Sequence, residues 1–198
     1  MLRDKILAGS RTGKRRLVAV AGAPASGKSI LADHLAAQLC DAGCRSQVVP
    51  MDGFHLHNQF LVERGLLNRK GAPETFDVAG FLHLVTRLHD DSTIYYPTFD
   101  RSRDIAIAGS GLIDEHCDTV IIEGNYLLFD APKWRVLRAH WDVSIWLDVP
   151  MPTLRKRLVE RWLAHGLSFE QAQTRAGEND LANAELVSKA QLPADLLA

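Results

Sequence analysis

Apolar positions along this chain alternate between two patterns. Some form short continuous runs, which are typical of strands buried on both faces of a sheet. These runs are residues 17–21, 47–51, 119–122 and 143–149. Others recur at every third or fourth position, which predicts amphipathic helices. The predicted helices are residues 2–8, 30–42, 77–89 and 152–165, with a last helix at 168–176. We expect a parallel sheet with helices on both faces, because alternating strands and helices form βαβ units.

Weaker signals fill the remaining chain. Residues 94–97 and 104–108 predict two short strands in a hairpin-like excursion, and residues 194–198 predict a final strand. The long stretch 53–75 mixes glycine, proline and cations without a clear period. Connections of that length inside a domain are usually functional or mobile, so we expect one or the other here.

Size and composition predict a single globular domain over residues 1–198. The 198 residues are enough to bury a sizeable core, and 46% of them are apolar while 24% are charged. A formal net charge of −1 argues against nucleic acid as a partner, since proteins that bind it usually carry a basic excess. No apolar stretch approaches the roughly 18 residues of a membrane span, so we expect no membrane insertion.

Cysteine usage and the first residues predict a cytoplasmic location. The three cysteines are an odd, low number, which suits a reducing compartment. Residues 1–5 lack the apolar core of a signal peptide. The oligomeric state stays open, a homodimer included.

Eight residues after the first predicted strand match the phosphate-binding pattern G-x-x-x-x-G-K-[ST] in full. They are Gly22, Ala23, Pro24, Ala25, Ser26, Gly27, Lys28 and Ser29, and Ile30 follows them in the predicted helix. Glycine lets the backbone wrap around a polyphosphate, and the N–H groups of the helix N-terminus attract its charge. We predict that residues 22–30 bind ATP, with Lys28 at the β- and γ-phosphates and the Ser29 hydroxyl on Mg²⁺. The strand–loop–helix setting argues against a glycine-rich turn without a ligand, while ATP or GTP preference stays open.

Two carboxylates should reach the same sheet edge as this loop, because ligands bind at the carboxyl ends of parallel strands. Glu123 closes the run 119–122 and suits a second support for Mg²⁺, with a surface acid as the alternative. Asp52 follows the second strand, where a carboxylate can accept the proton of an acceptor hydroxyl. Its charge would repel an acceptor phosphate, which favours a kinase of alcohols over a nucleotide monophosphate kinase. An aspartate that caps a turn or helix is the alternative for Asp52.

Two groups of cations are candidates for binding the substrates. Arg101 and Arg103 could hold a substrate by charge-assisted hydrogen bonds, or could lie on a solvated loop. Arg157 and Arg161 stand four apart and share a face of the predicted helix. We favour a lid over about 155–176, with Arg157 at the nucleotide and Arg161 neutralising charge on the transferring phosphoryl group. A solvated helix face is the alternative.

The chain resembles the P-loop kinases grouped with uridine kinase, phosphoribulokinase and bacterial pantothenate kinase. The residues that carry the resemblance span nearly the whole chain. They are the phosphate loop at 22–29, Met51-Asp52-Gly53-Phe54-His55, Gly71 to Asp77, Tyr96-Pro97 with Asp100-Arg101, Glu123 to Leu128, and Arg157 to Arg161. Within the group, the chain most resembles small bacterial proteins labelled as fructose transport system kinases. The resemblance implies an α/β, three-layer P-loop NTPase fold with a mostly parallel central sheet, helices on both faces and a helical lid.

The resemblance also implies roles for individual residues. Asp52 matches the family's catalytic base, Glu123 matches its magnesium carboxylate, and Asn183 lies near the nucleotide base. The residues expected to face the substrate are Asp52, His55, Tyr96, Arg101, Arg103 and Glu123. The implied activity is phosphorylation of a small-molecule alcohol by ATP and Mg²⁺, with a sugar such as fructose as first acceptor and a nucleoside or pantothenate as alternatives. A regulatory ATPase is the alternative class, although Asp52 and the long segment after it favour a dedicated acceptor site.

Overall fold

The computed structural model describes residues 1–198 and places a five-stranded parallel sheet at the centre. The strands of the chain are β1 (Arg16–Gly22), β2 (Ser46–Pro50), β3 (Ile94–Asp100), β4 (Ile105–Ile113), β5 (Thr119–Gly124), β6 (Val143–Leu147) and β7 (Leu196–Leu197). The central sheet has the order β2-β5-β1-β6-β7, and every neighbouring pair is parallel. β3 and β4 form a separate antiparallel hairpin, as the sequence predicts.

Seven α-helices surround the sheet. They are α1 (Leu2–Ala8), α2 (Lys28–Asp41), α3 (Asn58–Glu63), α4 (Val78–Asp90), α5 (Met151–Ala164), α6 (Phe169–Arg175) and α7 (Ala182–Lys189). Short 3₁₀ turns lie at Met51–Phe54, Leu67–Arg69, Pro73–Thr75 and Arg135–His140, and a π-helical turn at Ala176–Leu181 joins α6 to α7. None of the helices combines the length and the apolar character that crossing a membrane requires.

The central strands are buried on both faces, which explains their continuous apolar runs. Side chains alternate between the two faces of a strand. In β1, Leu17, Ala19 and Ala21 belong to the larger core, which includes side chains of α4 and α7. Val18 and Val20 belong to the smaller core, which includes side chains of α1 and α2. The predicted three-layer architecture is therefore confirmed.

Local signals set the ends of two helices. The Asp77 carboxylate accepts a hydrogen bond from the N–H of Gly80, 2.9 Å away, and so caps the start of α4. Gly43 follows the end of α2 and has a left-handed backbone with φ of 82°. The helix cap and the glycine stop each depend on residues at most three positions apart. The sequence alone can therefore locate both.

Two predictions of secondary structure need correction. The stretch 53–75 is not free of regular structure, because it contains α3 and 3₁₀ turns. The helix predicted at 168–176 is not the last one, since the chain continues through the π-helical turn into α7. Ala184 and Val187 of α7 are buried in the larger core. Burial of α7 in the core therefore stabilises helical structure beyond Gly177, although glycine usually favours the end of a helix.

The β3–β4 hairpin packs against the 3₁₀ turn that follows β2. Gly53 lies directly under the carbonyl group of Pro97, and any side chain at position 53 would collide with it. The register of the hairpin also shifts between Tyr96 and Thr98. This contact brings the tip of the hairpin toward the carboxyl edge of the central sheet.

Candidate active site

The carboxyl ends of three neighbouring strands meet at one edge of the sheet. Glu123 of β5 lies opposite Val20 of β1 and Pro50 of β2. The phosphate loop after β1, Asp52 after β2 and Glu123 therefore open onto one cavity of about 470 Å³, and the expected convergence is confirmed. The cavity is mostly polar, and its lining is Pro24, Ala25, Gly27, Lys28, Ser29, Ile30, Asp52, Arg101, Glu123, Gly124, Asn125, Arg157 and Arg161.

The loop at 22–29 is shaped to receive an anion. Ala25 and Gly27 both have left-handed backbones, with φ of 62° and 103°. Loops that alternate between left- and right-handed residues form nests of N–H groups that bind anions. The loop also leads into the N-terminus of α2, where the first N–H groups have no helical partner. In addition, the Ser26 hydroxyl is buried without a hydrogen-bond partner. These donors fit the phosphates of a nucleotide.

Two cations contact the backbone of this loop. Lys28 Nζ donates to the carbonyl oxygen of Ala23 at 3.0 Å. From α5, Arg157 Nη1 donates to the carbonyl oxygens of Ala25 at 3.2 Å and Ser26 at 2.8 Å. Arg161, one helical turn further along α5, lines the same cavity. The two arginines predicted to share a helix face thus both line the cavity, and Arg157 contacts the phosphate loop.

Lys28 and Glu123 form the buried, charged part of the cavity, with exposed fractions of 8% and 6%. Burial lowers the pKa of Lys28, while Glu123 raises it. Burial likewise raises the pKa of Glu123, and both Lys28 and the Ser29 side chain oppose that rise. Each charge therefore depends on its neighbour. Phosphates near Lys28 and a cation near Glu123 would stabilise both ionised forms.

Ser29 and Glu123 offer the donors that Mg²⁺ prefers. Both supply oxygen, and both line the cavity beside the phosphate loop. Mg²⁺ usually keeps several waters and binds one or two protein oxygens together with substrate phosphates. A hydroxyl and a single carboxylate next to a polyphosphate site therefore fit this ion.

Asp52 is paired with an arginine of the hairpin. Arg101 Nη2 lies 3.0 Å from Asp52 Oδ2 and donates a hydrogen bond to it. The Asp52 side chain is 25% exposed, whereas that of Arg101 is 66% exposed. A ligand in the cavity could therefore contact the Asp52 carboxylate, while most of the Arg101 side chain is exposed to solvent.

His55 lies beside Asp52 within an aromatic cluster. Its ring stacks on Phe76 with centroids 4.1 Å apart and tilts against Phe99 at 4.9 Å. Nε2 is 4.0 Å from Asp52 Oδ1. Burial lowers the pKa of His55 to about 4, against the attraction of Asp52. The imidazole is therefore neutral at pH 7, and its contact with Asp52 is not an ion pair at that pH.

His55 lies beside Asp52 but does not line the cavity, and three further predicted site residues outside the phosphate loop lie away from it. Tyr96 is 8% exposed, and its hydroxyl donates to the carbonyl oxygen of Val48 at 3.3 Å, because its ring fills the hairpin's inner face. Asn183 is 1% exposed, and its Nδ2 donates to Asn179 Oδ1 at 3.3 Å, because α7 packs it inside the protein. Arg103 is exposed at the hairpin tip and does not line the cavity. The geometry does not support substrate or nucleotide contacts for these side chains.

Two lining residues were missed as site residues. Gly124 and Asn125 follow Glu123 and line the cavity. The signal was available, because any residue just past the end of a central parallel strand lies at the binding edge.

Comparison with known proteins identifies relatives along nearly the whole chain. No protein-family model matches. An Escherichia coli protein named YggC, described as uncharacterized, is 34% identical over 93% of this chain and 77% of its own length. A Schizosaccharomyces pombe protein, named as a putative uridine kinase, is 31% identical over 93% of this chain and 83% of its own length.

A solved structure matches even more extensively. The crystal structure described as a putative fructose transport system kinase from Silicibacter sp. is 56% identical to this chain. It superposes with a TM-score of 0.96 and covers 100% of this chain and 97% of its own. The fold described above therefore recurs in a protein of nearly the same size.

Proposed function

Since this chain belongs to the P-loop kinases and is a phosphotransferase, we propose that it transfers the γ-phosphoryl group of Mg²⁺-bound ATP to a hydroxyl of a small molecule. We propose a sugar such as fructose as the first acceptor, with uridine-like nucleosides and pantothenate as alternatives. The whole chain, residues 1–198, acts as one kinase domain, and the segment at about 155–176 acts as its lid.

The observation that carries this proposal is the position of Asp52. Its carboxylate lies in the same cavity as the phosphate loop and is partly open to solvent. In our proposal it accepts the proton of the acceptor hydroxyl while the acceptor oxygen bonds to the γ-phosphorus. The bond between that phosphorus and the β–γ bridging oxygen breaks, and ADP leaves.

The other residues of the cavity bind and orient. The phosphate loop and Lys28 hold the triphosphate, and Arg157 keeps the loop in shape. Ser29 and Glu123 would hold Mg²⁺, which supplies charge neutralisation at the phosphates when bound. Arg161 faces the same space and stabilises negative charge on the transferring group.

The polarity of the cavity favours a sugar over a nucleoside. Of the 13 lining residues only two are hydrophobic, and none is aromatic. A nucleoside acceptor would need a surface for its base close to Asp52, and bases commonly pack on aromatic or apolar faces. The His55 ring beside Asp52 packs against the rings of Phe76 and Phe99 instead. A sugar needs mainly hydrogen-bonding groups, which this lining provides.

A coupled assay for ADP formation tests the proposal. The purified protein is mixed with ATP and Mg²⁺, alone or with D-fructose, uridine or pantothenate, and Lys28→Met serves as the inactive control. We expect ADP formation to rise with D-fructose and to depend on Lys28. ADP formation that none of the three alcohols increases would refute the proposed acceptors, and slow hydrolysis alone would favour a regulatory ATPase.

A further inference from the structure

The tip of the β3–β4 hairpin carries Arg101 and is a closely bonded turn. Asp100 Oδ1 accepts hydrogen bonds from the N–H of Ser102 at 2.9 Å, from its hydroxyl at 2.6 Å, and from the N–H of Arg103 at 3.1 Å. Asp104 closes the turn with a left-handed backbone at φ 55°. Because the turn is bonded internally, a contact that fixes Asp104 also fixes the position of Arg101.

Such a contact comes from Lys70. Its Nζ donates to the carbonyl oxygen of Asp104 at 2.8 Å and lies 2.9 Å from the Oδ1 atom of the same residue. It also donates to Asn58 Oδ1 at 2.6 Å, and Asn58 Nδ2 in turn donates to Asp104 Oδ2 at 2.8 Å. We call Lys70, Asn58 and Asp104 the clasp.

The lysine of the clasp is more enclosed than that of an ordinary surface ion pair. The Lys70 side chain is only 10% exposed, and its Nζ lies 5.0 Å from the centroid of the Phe99 ring. Each of the three ammonium protons has an oxygen acceptor within reach. Exposed ion pairs usually contribute little because two long side chains must be ordered, but here the lysine is already enclosed.

The base of the hairpin is held by separate contacts. Gly53 lies under the Pro97 carbonyl, and His55 packs against Phe99. The contact between Gly53 and Pro97 involves neither Lys70 nor Asp104, whereas Phe99 touches both His55 and the Lys70 ammonium. Opening the clasp should therefore free the tip and leave the base in place.

Arg101 has little else to keep it at Asp52. Its side chain is 66% exposed, and its single hydrogen bond is the one to Asp52 Oδ2. We propose that the clasp is a positioning device for the reaction: Lys70 fixes the hairpin tip and thereby sets Arg101 against Asp52. This inference rests on the proposed function, in which Asp52 accepts the proton of the acceptor.

Hydrogen exchange tests the mechanical half of this proposal. Lys70→Met removes the ammonium, and Asp104→Asn removes a carboxylate charge while asparagine still tolerates the left-handed backbone. Lys5→Met is the matched control, because Lys5 is exposed on α1 away from the hairpin. We expect the amides of residues 100–104 to exchange about tenfold faster in the two clasp variants, as the loss of charge-assisted hydrogen bonds predicts. Exchange equal to that of the wild type in both variants would overturn the proposal.

Kinetics test the functional half. With D-fructose as acceptor, we expect Lys70→Met to raise the acceptor KM about tenfold, with kcat changing less and the Kd of a non-hydrolysable ATP analogue unchanged. In an Arg101→Ala background, the same substitution should have little further effect, because the clasp acts through Arg101. Equal losses with and without Arg101, or a parallel loss of ATP-analogue binding, would overturn the positioning role.

Together, the exchange and kinetic experiments distinguish failure of this inference from failure of the proposed function. If D-fructose, uridine and pantothenate are all left unphosphorylated, the proposed function fails, and the exchange data still decide whether Lys70 holds the tip. If D-fructose is phosphorylated and the clasp variants behave like Lys5→Met in both experiments, the proposed function stands and the clasp is wrong.

Discussion

Replacing Asp52 by asparagine is the most direct perturbation of the site. The substitution keeps the size of the side chain and an oxygen that can still accept from Arg101, but it removes the proton acceptor. The change is confined to the open side of the cavity, since the side chain is 25% exposed and lies outside both cores. A loss of activity would therefore report on chemistry rather than on packing.

We expect a large effect of Asp52→Asn on turnover and a small effect on stability. Loss of general-base catalysis usually costs about 10² to 10⁴ in turnover, which is about 3 to 5 kcal/mol of transition-state stabilisation. The ion pair with Arg101 is mostly solvated on the arginine side, and such pairs contribute about 0 to 1 kcal/mol. The melting temperature of a domain of this size should then fall by roughly 4 °C at most.

The assay is a joint measurement on one preparation of Asp52→Asn. Turnover with D-fructose, the Kd of Mg-ATP and the melting temperature are each compared with the wild type and with Asp90→Asn. Asp90 is an exposed acid at the end of α4 and provides the matched control. We expect turnover to fall, while the Kd of Mg-ATP stays the same or tightens because one anion near the triphosphate is gone.

Three results would refute the reasoning about Asp52. Full turnover per folded molecule would exclude its role as proton acceptor. A parallel loss of Mg-ATP affinity and turnover would instead assign Asp52 to the metal. A large drop in melting temperature with turnover preserved would make it a structural aspartate.

Three further predictions concern the metal, the pH dependence and the lid. Glu123→Gln should raise the Mg²⁺ concentration for half-maximal activity by roughly tenfold or more, and an unchanged Mg²⁺ titration would remove Glu123 from the metal site. Because the pKa of His55 is about 4 when folded and lies near 6.5 when unfolded, protons favour the unfolded chain as pH falls between these values. Urea unfolding should show about 2 to 3 kcal/mol less stability at pH 4.5 than at pH 7 from this group, and His55→Gln should lose that part of the dependence; equal pH dependence in both proteins would contradict the buried neutral imidazole. Hydrogen exchange over residues 155–176 should slow when a non-hydrolysable ATP analogue and D-fructose are added, and an unchanged rate would describe a fixed surface rather than a lid.

The parts of the site that follow from local sequence were predictable. The phosphate loop is defined within eight residues, and parallel strands bring their carboxyl ends to one edge wherever they lie in the chain. Asp52, Glu123 and residues 22–29 were therefore placed together correctly. Arg157 and Arg161 followed from helical spacing, because one element carries both.

The parts that depend on packing between distant elements were not predictable. Tyr96 and Arg101 belong to the same hairpin, yet one is buried and the other reaches Asp52. Between them lie the shift in register after Tyr96 and the contact of Gly53 with Pro97, and neither leaves a pattern in the sequence. The enclosure of Asn183 has the same origin, since only the packing of α7 shows it.

The position of β5 between β1 and β2 has a consequence for how the protein is made. Residues 1–118 emerge from the ribosome with the phosphate loop and Asp52 already present, but the strand that separates β1 from β2 is still missing. Until β5 is synthesised, β1 and β2 have unpaired edges, which makes incorrect strand pairing easier. We infer that a chain interrupted before residue 119 carries most of the recognisable motifs and none of the assembled site. A chain that ends after residue 124 should be the shortest one in which the carboxyl ends of β1, β2 and β5 can come together.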